Sequence, residues 1–258
     1  MNNLSNWLKE QESATTLNCF SPPIMLATLI TESMLTIYTI VRYRMSPITR
    51  LATATLVSLA TFQLSEYFVC TGYGLQAEQW SRLGFIMITA LPAIGIHIMY
   101  NLAGKEGRKL VYATYAGMSA FMIFFLTYHA AFIGHECTGN YVIFQMGPLG
   151  KMLYSLYYYG LLLMGIFLGI KWANQLKAKG KKYFDQLQTV RALIIGYLVF
   201  LVPTALAYSI KPADRKAIPS IMCGFAVIYA LILTIYILPK ATQMRIYSFR
   251  DDTPKSIV

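Results

Sequence analysis

Charge is scarce in this chain. Only 13% of its 258 residues are Asp, Glu, Lys or Arg, and acids number 11 against 22 bases. Histidine occurs 3 times and cysteine 4 times, with neither Cys-x-x-Cys nor His-Glu-x-x-His spacing, so no compact zinc-ligand motif is present. A Gly-rich phosphate loop and a Ser-x-His-type arrangement are missing as well. No apolar run alternates with polar residues, which excludes the patterning of a membrane β-barrel. The connections between runs are too short to hold a kinase, catalytic or DNA-binding module. Residues 1–18 lack the apolar centre of a cleavable signal, so the first apolar run is expected to act as its own insertion signal.

What is abundant is apolar sequence, 56% of the chain. Seven runs, at about 22–41, 51–70, 83–103, 110–134, 149–172, 192–210 and 217–239, approach the twenty or so residues that span a hydrocarbon core as a helix. Backbone polar groups in lipid must be satisfied within their own segment, so the runs should be helical. The expectation is an all-α membrane protein: an outer tail (1–21), a seven-helix transmembrane domain (22–239) and a cytoplasmic tail (240–258). With the amino terminus outside, sixteen Lys and Arg fall in cytoplasmic segments and six in outer ones, a positive-inside pattern. The net charge of +11 then gathers at a cytoplasmic lip suited to anionic lipid rather than to nucleic acid. A bacterial inner membrane is the expected location.

Ionisable side chains within spans are costly and usually face the bundle interior or a water-filled cavity. Glu32 lies near the middle of the first run, and Glu66 about four residues from the outer end of the second. Gln63 and Cys70 share a helix face with Glu66, three residues before it and four after. His129 falls near the outer end of the fourth run, Cys19 and Ser21 stand at the mouth of the first, and His135, Glu136 and Cys137 open an outer loop. Gln63, Glu66, His129, Glu32 and Ser21 are therefore expected to line an outward-opening polar pocket. The cysteines admit two readings. Cys70 or Cys19 could bridge to Cys137 in an oxidising compartment, or Cys19, Glu66, His129, His135 and Cys137 could hold zinc or copper. Spacing leaves both open. Elsewhere, His97 is expected to make a helix-to-helix hydrogen bond. Tyr154, Tyr157, Tyr158 and Tyr159 are expected to form an interfacial belt, and Pro92 and Pro203 to kink their helices.

Cys19-Phe20-Ser21 before the first run and Gln63-x-x-Glu66 late in the second resemble a family of uncharacterised bacterial multi-span membrane proteins. The resemblance covers about the first hundred residues and implies no known activity; it singles out Cys19, Gln63 and Glu66. Where members carry paired glutamines and a glycine after the Glu, this chain has Phe62-Gln63 and Glu66-Tyr67. A retinal protein would need a lysine within the last run, which has none. Three function classes remain: a sensor or carrier for a small ligand or metal ion, with Glu32 as proton-coupling group in a carrier; an intramembrane metal-dependent hydrolase or redox enzyme; and a structural membrane subunit.

Overall fold

Local chemistry sets where the helices begin and end. A computed structural model describes residues 22–106, 108–137, 142–210, 218–243, 246–247 and 254–255. Helix α1 is Pro22–Arg42 and α2 is Pro47–Thr71, the latter opened by Ser46, whose hydroxyl accepts from the Thr49 amide at 3.3 Å. Gly72, at φ 67°, closes α2 in the left-handed conformation that a Cβ would disfavour. Helices α3 (Ala77–Leu102) and α4 (Lys109–Thr127) lead to a short 3-10 turn, His129–Ala131, and an antiparallel hairpin of β1 (Phe132–Cys137) and β2 (Val142–Met146). Helices α5 (Pro148–Ala178) and α6 (Phe184–Ile210) follow. Helix α7 (Ile218–Leu231) runs through a π-helical stretch, Ile232–Ile237, into α8 (Leu238–Gln243). Two-residue strands β3 (Ile246–Tyr247) and β4 (Pro254–Lys255) pair beyond it.

Among the described residues, six helical segments are long and apolar enough to cross a membrane, the mark of a multi-pass membrane protein. Helix α2 is outside that set although it has 25 residues, because its threonines and serines, Arg50, Gln63 and Glu66 lower its hydropathy. Its neighbour α1 displays the inverse of a soluble fold. On α1, Leu26, Ile30, Met34, Ile37 and Val41 are exposed, Val41 by 81%, while Thr28, Glu32 and Thr39 are buried. A helix that turns its greasy face outward and its polar face inward has lipid, not water, as its natural solvent.

Close approach holds the bundle together. A Cβ on Gly84 of α3 would meet Ser65 Cβ at 3.1 Å and the Phe62 ring at 3.2 Å, so glycine eases the close approach of α2 and α3 and a larger side chain would have to push these neighbours aside. Gly95 seats the Tyr197 hydroxyl of α6 directly against the α3 backbone. At the hairpin end Phe85 centres an aromatic core, with Phe125, Phe132, Phe144 and Tyr154 rings at 5.5, 5.0, 5.2 and 5.6 Å.

Two expectations are corrected here. The fourth apolar run reads on to 134, but α4 stops at Thr127; the residues beyond are apolar because the hairpin lays Phe132 and Phe144 onto the aromatic core. Arg82 terminates α4 by donating to the Phe125 and Tyr128 carbonyls, a cation on orphaned helix-end acceptors. The tyrosines are not a simple interfacial belt either. Tyr154 and Tyr158 are buried, and Tyr157 donates to the Thr89 carbonyl at 2.8 Å, in the turn before Pro92. A proline removes a donor from that stretch of helix, so a neighbouring hydroxyl stabilises it. His97 does link helices as expected, its Nδ1 lying 3.1 Å from the Tyr115 hydroxyl.

Candidate functional site: a buried acid pair between α1 and α2

Glu32 is placed by the inward face of α1, which carries Met25, Thr28, Glu32 and Thr39 at helical spacing. Glu66 and Gln63 lie one turn apart on α2, which packs against α1. The three side chains are 0%, 1% and 2% exposed respectively. Glu32 and Glu66 are close enough for each carboxyl to feel the other's charge. The threonines around Glu32 do not serve it: Thr28 donates to the Met25 carbonyl and Thr36 to the Glu32 carbonyl, both at 2.8 Å. Neither oxygen of the Glu32 carboxyl has a hydrogen-bond partner among the described residues.

That arrangement is expensive as pure architecture. An unsatisfied buried polar group costs roughly 1–3 kcal/mol, and an unpaired buried charge several kcal/mol. A buried acid whose oxygens are both open has lone pairs to offer to a proton or a small cation, and a second acid beside it can share the load. Thr39 and Thr234 are buried with hydroxyls that also have no partner among the described residues. Thr39 follows Glu32 by two turns on the same face, a periodicity visible in the sequence; Thr234 lies in the π-helical stretch, which only the backbone reveals. Such stretches recur at functional sites.

Of the residues expected to line an outward-opening pocket, Gln63, Glu66 and Glu32 are buried, and on α2 the hairpin's Phe144 ring lies 6.0 Å from Phe62. Cys19 and Ser21 lie outside the described residues, as does the side chain of His129, whose backbone forms the 3-10 turn after α4. Two members of the expected metal-ligand set, Cys19 and the His129 side chain, thus fall outside the described residues, and among the described residues no three His, Cys, Asp or Glu come together to hold a metal. Cys137 is bonded to Cys70, with S–S 2.08 Å and Cα–Cα 5.8 Å, so neither offers a thiolate. His135, on the same strand, is exposed. The disulfide fastens the hairpin to the C-terminal end of α2.

A second cavity, of about 330 Å³, opens between α4 and α5 near the hairpin, lined by Phe121, Phe124, Tyr128, Pro148 and Leu153. It is an apolar cleft without a charged side chain. No family model and no curated protein matches this sequence.

Proposed function

We propose that this chain is a seven-span carrier of the bacterial plasma membrane, in which Glu32 takes up and releases a proton or small cation with Glu66 beside it. In this reading α2 is the seventh span: its polar side chains are turned into the bundle, so it crosses lipid sheltered by its neighbours. The amino terminus faces out and the carboxyl terminus in, following the sixteen-to-six distribution of basic residues. The resemblance carried by Cys19-Phe20-Ser21 and Gln63-x-x-Glu66 agrees with a bacterial membrane protein and independently marks Gln63 and Glu66. The observation that carries the reading is the Glu32 carboxyl, fully buried with both oxygens lacking a hydrogen-bond partner among the described residues. An acid that merely locked helices together would have found a donor on a neighbouring helix. Enclosure of the pair is the arrangement of an occluded carrier, whose site opens to one side at a time.

The test uses full-length protein in liposomes with a trapped pH-sensitive dye. Sodium, potassium or the low-molecular-weight fraction of a bacterial extract is added outside. The expected result is a change in internal pH with at least one of these, reduced to the rate of protein-free liposomes by Glu32→Gln. Proton movement that survives Glu32→Gln unchanged would sink the carrier reading. So would its absence with every addition, which would favour a sensor or a structural subunit.

A further inference from the structure

The cleft between α4 and α5 is a space that the acid pair does not use. The two helices meet closely at Gly117, where a Cβ would lie 3.3 Å from the Tyr157 ring. Toward the hairpin they leave about 330 Å³ between them, and small-ligand pockets begin at about 300 Å³. The sequence accounts for the gap. Phe121, Phe124 and Tyr128 recur at helical spacing and make one wall, a strip about 10 Å long at about 1.5 Å per residue. Elsewhere the lining is small, with Ala120, Ala131, Gly147 and Gly150 contributing little bulk. The aromatic strip is braced rather than loose. Phe121 packs on Tyr157 at 4.8 Å and on Tyr154 at 5.5 Å, and Phe124 stacks on Tyr128 at 5.2 Å.

The surroundings decide what enters. Tyr128, Leu149 and Leu153 line the cleft and are exposed, so it opens at the surface. The side chains that flank it, Ile123 and Leu126 on α4 and Met152 and Leu156 on α5, are apolar and exposed too. Both helices are long and apolar enough to cross a membrane, so this flank and the opening face hydrocarbon. The Tyr128 hydroxyl is the one polar side-chain group in the lining. A water-soluble ligand would give up its hydration there with almost nothing to replace it. Left empty, the walls would lose their dispersion contacts, and a hydrocarbon chain restores them. A strip that runs along a helix suits a linear chain lying parallel to it. Tyr128 ends the strip on the hairpin side, and its amphipathic ring suits the level of the lipid ester.

We propose that the cleft between α4 and α5 is a binding site for one acyl chain of a membrane phospholipid, laid along Phe121, Phe124 and Tyr128. The site depends neither on the direction in which the protein is inserted nor on proton coupling at Glu32.

Photolabelling of the full-length protein tests this, in phosphatidylcholine liposomes that contain a phosphatidylcholine with a diazirine on one acyl chain. Mass spectrometry of peptides should find label on Phe121, Phe124 and Leu153 well above that on Ile30, Met34 and Ile37, the exposed face of α1. Ala120→Trp and Leu153→Trp each fill the cleft, and in each variant the excess label should fall to the α1 level. Leu126→Trp adds the same bulk at an exposed position outside the lining and should leave the excess unchanged. Labelling no denser than on α1 would overturn the site. Excess that persists in both filling variants, or that Leu126→Trp removes equally, would overturn it as well. A short-tailed benzoquinone, added in smaller amount than the phospholipid, tests a ring-bearing occupant. Label that stays in place supports the acyl chain, and loss of label overturns it. Elution of each variant as a folded monodisperse species confirms that occupancy, not folding, is read.

Discussion

Helix α2 meets α3 on one side and α1 on the other, and the two contacts are built on opposite terms. Toward α3 it presents Phe62 and Ser65 to Gly84, and the Ser65 hydroxyl is satisfied within its own helix by the Thr61 carbonyl at 2.8 Å. Toward α1 it presents Gln63 and Glu66 to a face whose central residue, Glu32, has no hydrogen-bond partner among the described residues. A small hydroxyl can bond back to its own helix and so costs little in lipid. A carboxyl at mid-helix cannot, so its burial calls for another explanation. The α3 side is packing. The α1 side, in our proposal, is where the protein works.

If that contrast is right, the packed side should be sensitive to volume and the acid side should not be needed for folding. The largest effect belongs to the disulfide that ties the hairpin to the end of α2. Replacing Cys70 and Cys137 together by Ser opens a loop of 67 residues and should cost about 3–4 kcal/mol, seen as earlier loss of folded protein on heating. Unchanged heat stability would mean that the hairpin is held by its aromatic contacts alone. Next, Gly84→Leu forces a side chain into the gap filled by Ser65 and Phe62 and should cost about 2–3 kcal/mol by the same assay. A neutral Gly84→Leu would show the α2–α3 contact to be looser than its 3.1 Å approach implies.

Much of this division was legible in the sequence, for reasons that differ by element. Apolar runs mark spans because lipid permits little else, and Glu32 and Glu66 declare themselves by depth alone. The hairpin was not legible, since its strand β1 has an apolar start that continues the α4 pattern without a break. Hydrophobicity does not distinguish a residue that faces lipid from one that packs on Phe85. The same ambiguity hid the tyrosines of α5: an aromatic entering a span suits an interface and a core equally well. The bridge between Cys70 and Cys137 was one of two open chemistries until the hairpin placed them side by side.

The smallest expected stability effect is the most informative. Glu32→Gln keeps the shape of the side chain and removes its ability to exchange a proton. Heat unfolding of this variant beside the wild type, in the same liposomes used for proton movement, tests the central claim. The account predicts a stability no more than about 1 kcal/mol below wild type, since one buried polar group without a partner replaces another, with proton movement lost. A marked fall in stability, with wild-type movement in the fraction that stays folded, would make Glu32 a structural tie and contradict the account.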